Sequence, residues 1–345
     1  MRGAVSSAVQ FGAALAVSLV VFTGCEARSG AVSAPAEVRE AAEPALPAVA
    51  TPPLTTDQRL AAIDRAVETA ERTRGLGAPA LWTLSDEDTS IHLFGTVHLL
   101  RPETKWRSTA FETAFAAAET LVLEVDATTP AAQAEMQNLI PQYGLFTDGR
   151  TLSTVLDADA RSSVFGAAEK IGVPAAALES FKPWLVNLQL GLTQIQRAGF
   201  DPNAGLEMVL TEDAKAAGKS FKFLETAEEQ IRVLAGADLD TQIESLVFTA
   251  DTLDSGSELL DILVAEWADG DLAGLSALIA EPALLGGREA YEALLVTRNK
   301  DWVPQIKAML ETPGTVFVAV GAAHLAGPDS VIALLRAEDY DVAGP

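Results

Sequence analysis

The sequence predicts an α/β fold in which a central mixed or parallel β-sheet is flanked by helices, with a large, mostly helical middle region. Three observations predict it. Short apolar runs that suit strands lie between residues 80 and 126 and again at 315–320. Between them, residues 130–312 carry apolar side chains at steps of three and four, which is typical of helices. A chain of 345 residues has room for one large domain or two ordinary ones.

The N-terminal stretch "MRGAVSSAVQFGAALAVSLVVFTGC" has the early cation and apolar run of an export signal. It is too short and too weakly flanked to predict a membrane-spanning helix. It resembles a bacterial lipoprotein signal, in which Cys25 is lipidated. Phe22 stands where an aliphatic residue is usual, so a plain secretory signal or an uncleaved anchor stays open. We expect a signal peptide over residues 1–25 and an exported, membrane-anchored lipoprotein of the periplasm or cell envelope.

The stretch 26–55 is rich in Ala, Pro and Glu without sustained apolar periodicity, which predicts a disordered linker. A helix then begins near Thr56, and we expect one domain over residues 56–345. Cys25 is the single cysteine. The domain therefore has neither a disulfide nor a cysteine nucleophile.

The elements of the domain follow from local patterns. The runs "ALWTLS" and "SIHLFGTVH" flank the polar turn "DEDT", which predicts a hairpin. The remaining predictions are a helix at 107–118, strands at 120–126, 220–225 and 315–320, a helix at 328–336 and a last strand near 339–342.

The charge balance excludes one class of partner. Acidic residues outnumber basic ones 48 to 24, which gives a net charge of -24. Such a chain repels phosphate backbones, so we expect no nucleic acid partner.

Three predicted strands end in residues capable of binding a metal or a proton: His98, Glu124 and His324. Functional groups of open α/β sheets collect at the carboxyl ends of strands. Both histidines end a Gly-x-x-His motif, at residues 95–98 and 321–324. The glycine of each motif allows the backbone to approach its neighbours closely. The third histidine, His92, lies roughly 20 Å from His98 along an extended strand and cannot share an ion with it.

At this point the chain resembles the TraB/GumN family, whose animal relatives are the Tiki proteases. The resemblance runs through most of the chain after residue 78. The stretches that carry it are "LWTLSDEDTSIHLFGTVHLL", "AFAAAETLVLEVD", "FKPWLVNLQL", "NAGLEMVLTEDAKAAGKSFKFLETAEEQI", "TRNKDWVPQI" and "VFVAVGAAHLAGPDSVIALLRAEDYDV".

The resemblance implies a site and an activity. It implies that His98, His324 and Glu124 form the core of a site, with Arg298 and Asn299 of the "RN" motif beside them. It implies metal-dependent peptide hydrolysis with Mn²⁺ or Co²⁺, and Zn²⁺ as the other candidate. Where bacterial relatives usually show Gly-x-Asp, this chain has Gly205-Leu206-Glu207. Glutamate is the longer carboxylate, and whether Glu207 reaches the site is left open.

The residues allow a hydrolytic mechanism. Two imidazoles and one carboxylate leave coordination positions open for water, and a bound ion lowers the pKa of that water from about 16 toward about 7. Glu124 serves as a ligand or, with Glu207 or a water completing the metal shell, as general base. Arg298 suits an oxyanion or a substrate carboxylate.

Other interpretations stay open. The same crevice could bind haem, metal or a glycan without turnover, as an envelope protein linked to polysaccharide, or the chain could be an envelope scaffold without a site. A serine triad is not strictly excluded, although no serine stands out. Phosphate-binding loops, a dinucleotide fingerprint and an H-E-x-x-H helix are absent from the sequence.

Overall fold

The computed structural model describes residues 55–127 and 129–345, so the predicted signal peptide and nearly all of the predicted linker lie outside the described residues. Six strands form one sheet: β1 Leu81–Ser85, β2 Thr89–Thr96, β3 Thr120–Leu123, β4 Ser220–Phe223, β5 Gly314–Gly321 and β6 Val342–Ala343. Their order across the sheet is β4-β3-β5-β2-β1-β6. β4, β3, β5 and β2 are parallel neighbours, and β1 is antiparallel to both β2 and β6. The predicted α/β fold with a mixed sheet is confirmed.

Helices cover most of the rest of the described chain. They are α1 Thr56–Ala70, α2 Thr109–Ala117, α3 Pro130–Gly144, α4 Leu152–Val155, α5 Ala158–Lys170, α6 Ala175–Leu178, α7 Pro183–Arg197, α8 Leu206–Ala216, α9 Ala227–Ala235, α10 Leu239–Asp251, α11 Gly256–Asp269, α12 Leu272–Ile279, α13 Arg288–Tyr291, α14 Arg298–Ala308 and α15 Val331–Ala337. A π-helix, Glu292–Thr297, joins α13 to α14.

Side chains alternate between the two faces of the sheet, and each face packs against its own helices. Phe94 and Phe317 lie in a core built with α1, α2, α11 and α12. Leu93 and Val318 lie in a second core with Trp302 of α14 and with α15. The period of two along a strand produces this division. Helices α3 to α7, α9 and α10 form two further apolar clusters in the middle region.

Several strand boundaries differ from the predicted ones: β4 ends at Phe223 rather than 225, and β5 covers Gly314–Gly321 rather than 315–320. β3 ends at Leu123 rather than near 126, because the backbone N–H of Gly321 donates to the Glu124 carboxylate instead of extending the ladder. β6 covers Val342–Ala343 rather than 339–342, because Asp339 adopts φ 63 and turns the chain. Within the described ranges, no helix combines the length and apolar character that crossing a membrane requires.

Candidate functional site

Three neighbouring parallel strands bring the predicted site residues to one edge of the sheet. β2 and β5 pair in register up to Thr96 and Gly321, and β3 pairs with the other side of β5. His98 follows β2, Glu124 follows β3 directly, and His324 ends a 3-10 turn that follows β5. Parallel strands share the edge at which their carboxyl ends lie, so residues far apart in sequence converge there.

The two Gly-x-x-His motifs pack against each other. A Cβ atom on Gly95 would lie 2.9 Å from Cα of Ala322, closer than real side chains come. The indole N–H of Trp267 donates to the Gly95 carbonyl at 2.9 Å. Glycine at this position therefore lets β2 approach the turn that carries His324.

His324 is fully buried, and both of its ring nitrogens are engaged. Nε2 lies 3.0 Å from Nη1 of Arg298, and Nδ1 lies 2.6 Å from Oδ1 of Asn299. Because a guanidinium only donates, Nε2 accepts and Nδ1 carries the proton. Burial, reinforced by the Arg298 cation, lowers the pKa of His324 to about 3. The neutral ring lies over Trp302, with the ring centroids 4.3 Å apart.

Arg298 lies between two buried carboxylates. Its Nη2 donates to Glu124 at 2.6 Å and to Glu225 at 2.7 Å, and its Nε donates to Glu225 at 3.0 Å. Nη1 also donates to the carbonyl of Leu294 in the π-helix, at 3.0 Å. The guanidinium is therefore held in one orientation by four residues, including His324.

The two carboxylates differ in their ionisation. Burial opposes the charge on Glu124, but Arg298, the nearby histidines and the N–H of Gly321 at 2.7 Å outweigh it and hold the pKa of Glu124 below 4.5. Burial raises the pKa of Glu225 above 4.5, and its hydrogen bonds from Arg298 offset only part of that effect. Glu124 is the carboxylate that this environment keeps ionised.

His98 forms a second cluster with Glu207. Nδ1 of His98 lies 2.9 Å from Oε1 of Glu207, which also accepts from the hydroxyl of Thr96. A Cβ atom on Gly205 would lie 2.1 Å from the His98 carbonyl oxygen, so only glycine lets α8 begin this close to β2. Burial raises the pKa of Glu207, but the His98 ring and these hydrogen bonds bring it below 4.5.

A cavity of about 130 Å³ lies at this edge of the sheet. Its lining includes three of the predicted site residues, His98, Glu124 and Glu207, and polar side chains of Gln133, Thr211, Lys215 and Gln230. His324, Arg298 and Asn299 are buried and do not line it. The predicted residues thus form two hydrogen-bonded clusters beside one cavity: His98 and Glu207 face it together, and Glu124 faces it with Arg298, His324 and Asn299 buried behind.

The side chains fit a divalent ion in part. Among the residues that the structure describes, no group of three His, Cys, Asp or Glu side chains is arranged to hold a metal ion. The cavity still presents an imidazole and two carboxylates, which is a donor set that Mn²⁺, Co²⁺ and Zn²⁺ accept. His324 does not fit as a ligand as it stands, because both of its nitrogens make hydrogen bonds.

Sequence reasoning missed four contributors: Glu225, Thr96, Gln230 and Trp302. Glu124 directly follows β3, Glu225 lies two residues after the end of β4, and both come directly after a leucine. That repeated Leu-Glu ending was a readable signal. The amide of Gln230 donates to Glu225 at 3.2 Å, a contact across five residues that no sequence pattern indicated.

Comparison with known proteins supplies the family. The model of the TraB/PrgY/gumN family matches residues 80–343, which run from β1 to β6. The chain belongs to this family. The chain is similar to the proteins named "Uncharacterized protein YbaP" from Escherichia coli (strain K12) and from Shigella flexneri. It is 24% identical to each over 248 residues, which cover 71% of this chain and 87% of each relative. No solved structure matches the chain significantly. TraB/PrgY/gumN membership thus rests on the region that contains the whole sheet and the site.

Proposed function

We propose that the protein is a metal-dependent hydrolase that cleaves peptide or protein substrates at the 130 Å³ cavity. The observation that carries this proposal is the convergence of His98, Glu124 and Glu207 on that cavity from three separate chain segments. All three lie at strand or helix ends, and ligand sites of open α/β sheets lie at the carboxyl ends of the strands.

His98 and Glu124 are the residues that would hold the ion. Glu207 lies beside Nδ1 of His98, so it would orient the ring for coordination through Nε2, in the carboxylate–histidine pairing common at metal sites, and would not bind the same ion. A bound divalent ion would supply a water of lowered pKa and would polarise a carbonyl group. Either Glu124 or Glu207 could instead accept a proton as the general base.

The buried residues position those that face the cavity. Arg298 fixes one oxygen of Glu124, and the N–H of Gly321 fixes the other. Neutral His324 accepts from Arg298 and is itself oriented by Asn299. We therefore assign Arg298 and Asn299, which the sequence indicated as catalytic, to positioning.

The test is metal binding by the purified, chelator-treated protein, measured calorimetrically with Mn²⁺, Co²⁺ and Zn²⁺. We expect one site, lost in His98→Ala and weakened about 10–100-fold in Glu207→Gln. His92→Ala is the matched control, because His92 contacts Thr83 at 3.0 Å on the far part of β2. Cleavage of a peptide library should require the same residues and the added ion. Unchanged binding in both site variants would refute the proposed site.

A second candidate is an envelope protein that binds haem, metal or a glycan at this site without turnover. The observation that favours it is that the buried polar groups already have hydrogen-bond partners. Arg298 donates to Nε2 of His324 at 3.0 Å and to Glu124 at 2.6 Å. Ligand binding without cleavage of any library peptide, with folding retained, would support this alternative over the hydrolase.

We also propose that lipid on Cys25 anchors the domain to a membrane of the cell envelope. The apolar stretch that ends at Cys25 supports it. Mass spectrometry of the membrane fraction should find the lipid on the wild type. Cys25→Ala should release the protein from that fraction, and an unlipidated wild-type chain would contradict the proposal.

A further inference from the structure

A second, larger cavity of about 550 Å³ lies among the helices of the middle region. Helices α7, α9 and α10 form much of its wall, and α1 and the segment around Ala290 complete it. Its apolar side chains include Trp184, Leu188, Leu234 and Leu285. This volume is in the range of small-molecule sites. Helix α9 borders both cavities, since Gln230 lines the smaller one and Leu234 this one.

Asn187 lines this cavity and carries an unpaired acceptor. Its side chain is 7% exposed, and its Oδ1 is buried without a hydrogen-bond partner. The neighbouring amide of Gln242 is satisfied, because it accepts from the N–H of Trp184 at 3.3 Å and donates to the carbonyl of Ala237 at 2.7 Å. A buried acceptor without a donor costs about 1–3 kcal/mol, so Asn187 is suited to a ligand that brings an N–H or O–H group.

Gly191 keeps space open one helical turn after Asn187. It is buried within α7, yet a Cβ atom built on it would meet no atom within 4 Å. A glycine inside a helix costs about 1 kcal/mol relative to alanine. No steric contact requires glycine here, and a side chain at this position would project into the cavity.

Arg59 brings a cation to the same cavity. Its side chain is 8% exposed, and its guanidinium carbon lies 3.8 Å from the centroid of the Phe248 ring. Burial lowers the pKa of Arg59 to about 10, against the opposing influence of Glu244. Arg232, which also lines the cavity, pairs with Glu228 at 2.8 Å. The planar, forked guanidinium of Arg59 suits bidentate pairing with a carboxylate.

We propose that this cavity binds an N-acylated amino acid. The acyl chain lies against Trp184, Leu188 and Leu234. The amide N–H donates to Oδ1 of Asn187, and the carboxylate pairs with Arg59. The inference is independent of the proposed hydrolase, since none of its residues lines the smaller cavity.

The experiment is calorimetric titration of the full chain with N-octanoylglycine. We expect binding, with about tenfold weaker affinity for its carboxamide, which lacks the charge, and for a straight-chain fatty acid of equal length, which lacks the N–H. Asn187→Leu removes the acceptor while keeping similar bulk. It should bind about tenfold more weakly and unfold at the same or a higher temperature, because the loss of an unpaired buried group is not destabilising.

Gly191→Leu fills the cavity and should abolish binding while leaving the protein folded. Gly166→Leu is its matched control, since Gly166 lies inside α5 and also faces open space, outside this cavity. It should bind as the wild type does. Failure of N-octanoylglycine to bind, or equal affinity in the wild type and Gly191→Leu, would overturn the proposal. Equal affinity for the fatty acid would overturn the role of Asn187.

Discussion

Replacing Arg298 with methionine removes the cation that lies between two buried carboxylates while keeping a flexible side chain of similar length. Glu124 and Glu225 then face each other without their shared partner, at a site where both are almost fully buried. Breaking a buried ion pair by removing one partner costs about 3–5 kcal/mol. At about 2–4 °C per kcal/mol for a domain of this size, the midpoint of thermal unfolding should fall by about 6–20 °C.

The matched control is Arg232→Met. Arg232 pairs with Glu228 at 2.8 Å, but its side chain is 65% exposed. An exposed pair contributes about 1 kcal/mol or less, so this variant should unfold close to the wild type. Adding Glu225→Gln to Arg298→Met should recover part of the lost stability, because it removes one of the two unpaired charges.

The pH dependence gives a second readout. In the wild type the pKa of Glu124 lies below 4.5, so its stabilisation is present above 4.5 and is lost as the pH falls through the folded pKa. In Arg298→Met, burial acts without the cation and raises that pKa, so the variant loses stability as the pH rises above 4.5. The difference between the two proteins, measured by chemical denaturation, should widen from acidic to neutral pH. A loss no larger than that of Arg232→Met, or a difference independent of pH, would refute this reasoning.

Three further predictions concern the same edge of the sheet. The pKa of His324 falls from 6.5 to about 3 on folding, so stability with chelator present should decrease as the pH drops from 6.5 toward 3, by at most about 5 kcal/mol, and His324→Gln should flatten that dependence in denaturation curves. Gly95→Ala places a methyl group against Ala322 and should cost about 1–3 kcal/mol in the free energy of unfolding, whereas Gly166→Ala in open helical space should be neutral or stabilising. Trp267→Phe leaves the Gly95 carbonyl without its indole donor and should cost about 1–3 kcal/mol; a neutral result would contradict that contact.

Much of the fold follows from local pattern. The alternation of apolar residues around "DEDT" predicts the hairpin of β1 and β2, and the six-stranded mixed sheet matches the α/β prediction. The ends of the helices and strands were harder to predict from the sequence, because contacts of individual side chains set them. The carboxylate of Glu124 takes a backbone donor beyond β3, and Ser108 and Ser330 cap α2 and α15.

The sequence by itself determined which residues were candidates. The paired Gly-x-x-His motifs indicate His98 and His324, and a glutamate follows an apolar strand between them. These signals are local, because glycine, strand and histidine lie within a few residues of one another. Only the tertiary structure decided what each residue contacts.

The strand order puts β5 between β2 and β3, so that two distant turns meet at one edge. The same packing turns His324 toward Arg298 and Asn299, places Glu225 on the second side of Arg298, and leaves His98 and Glu207 at the cavity. Burial and neighbouring charge, which depend on the whole fold, decide how these groups ionise.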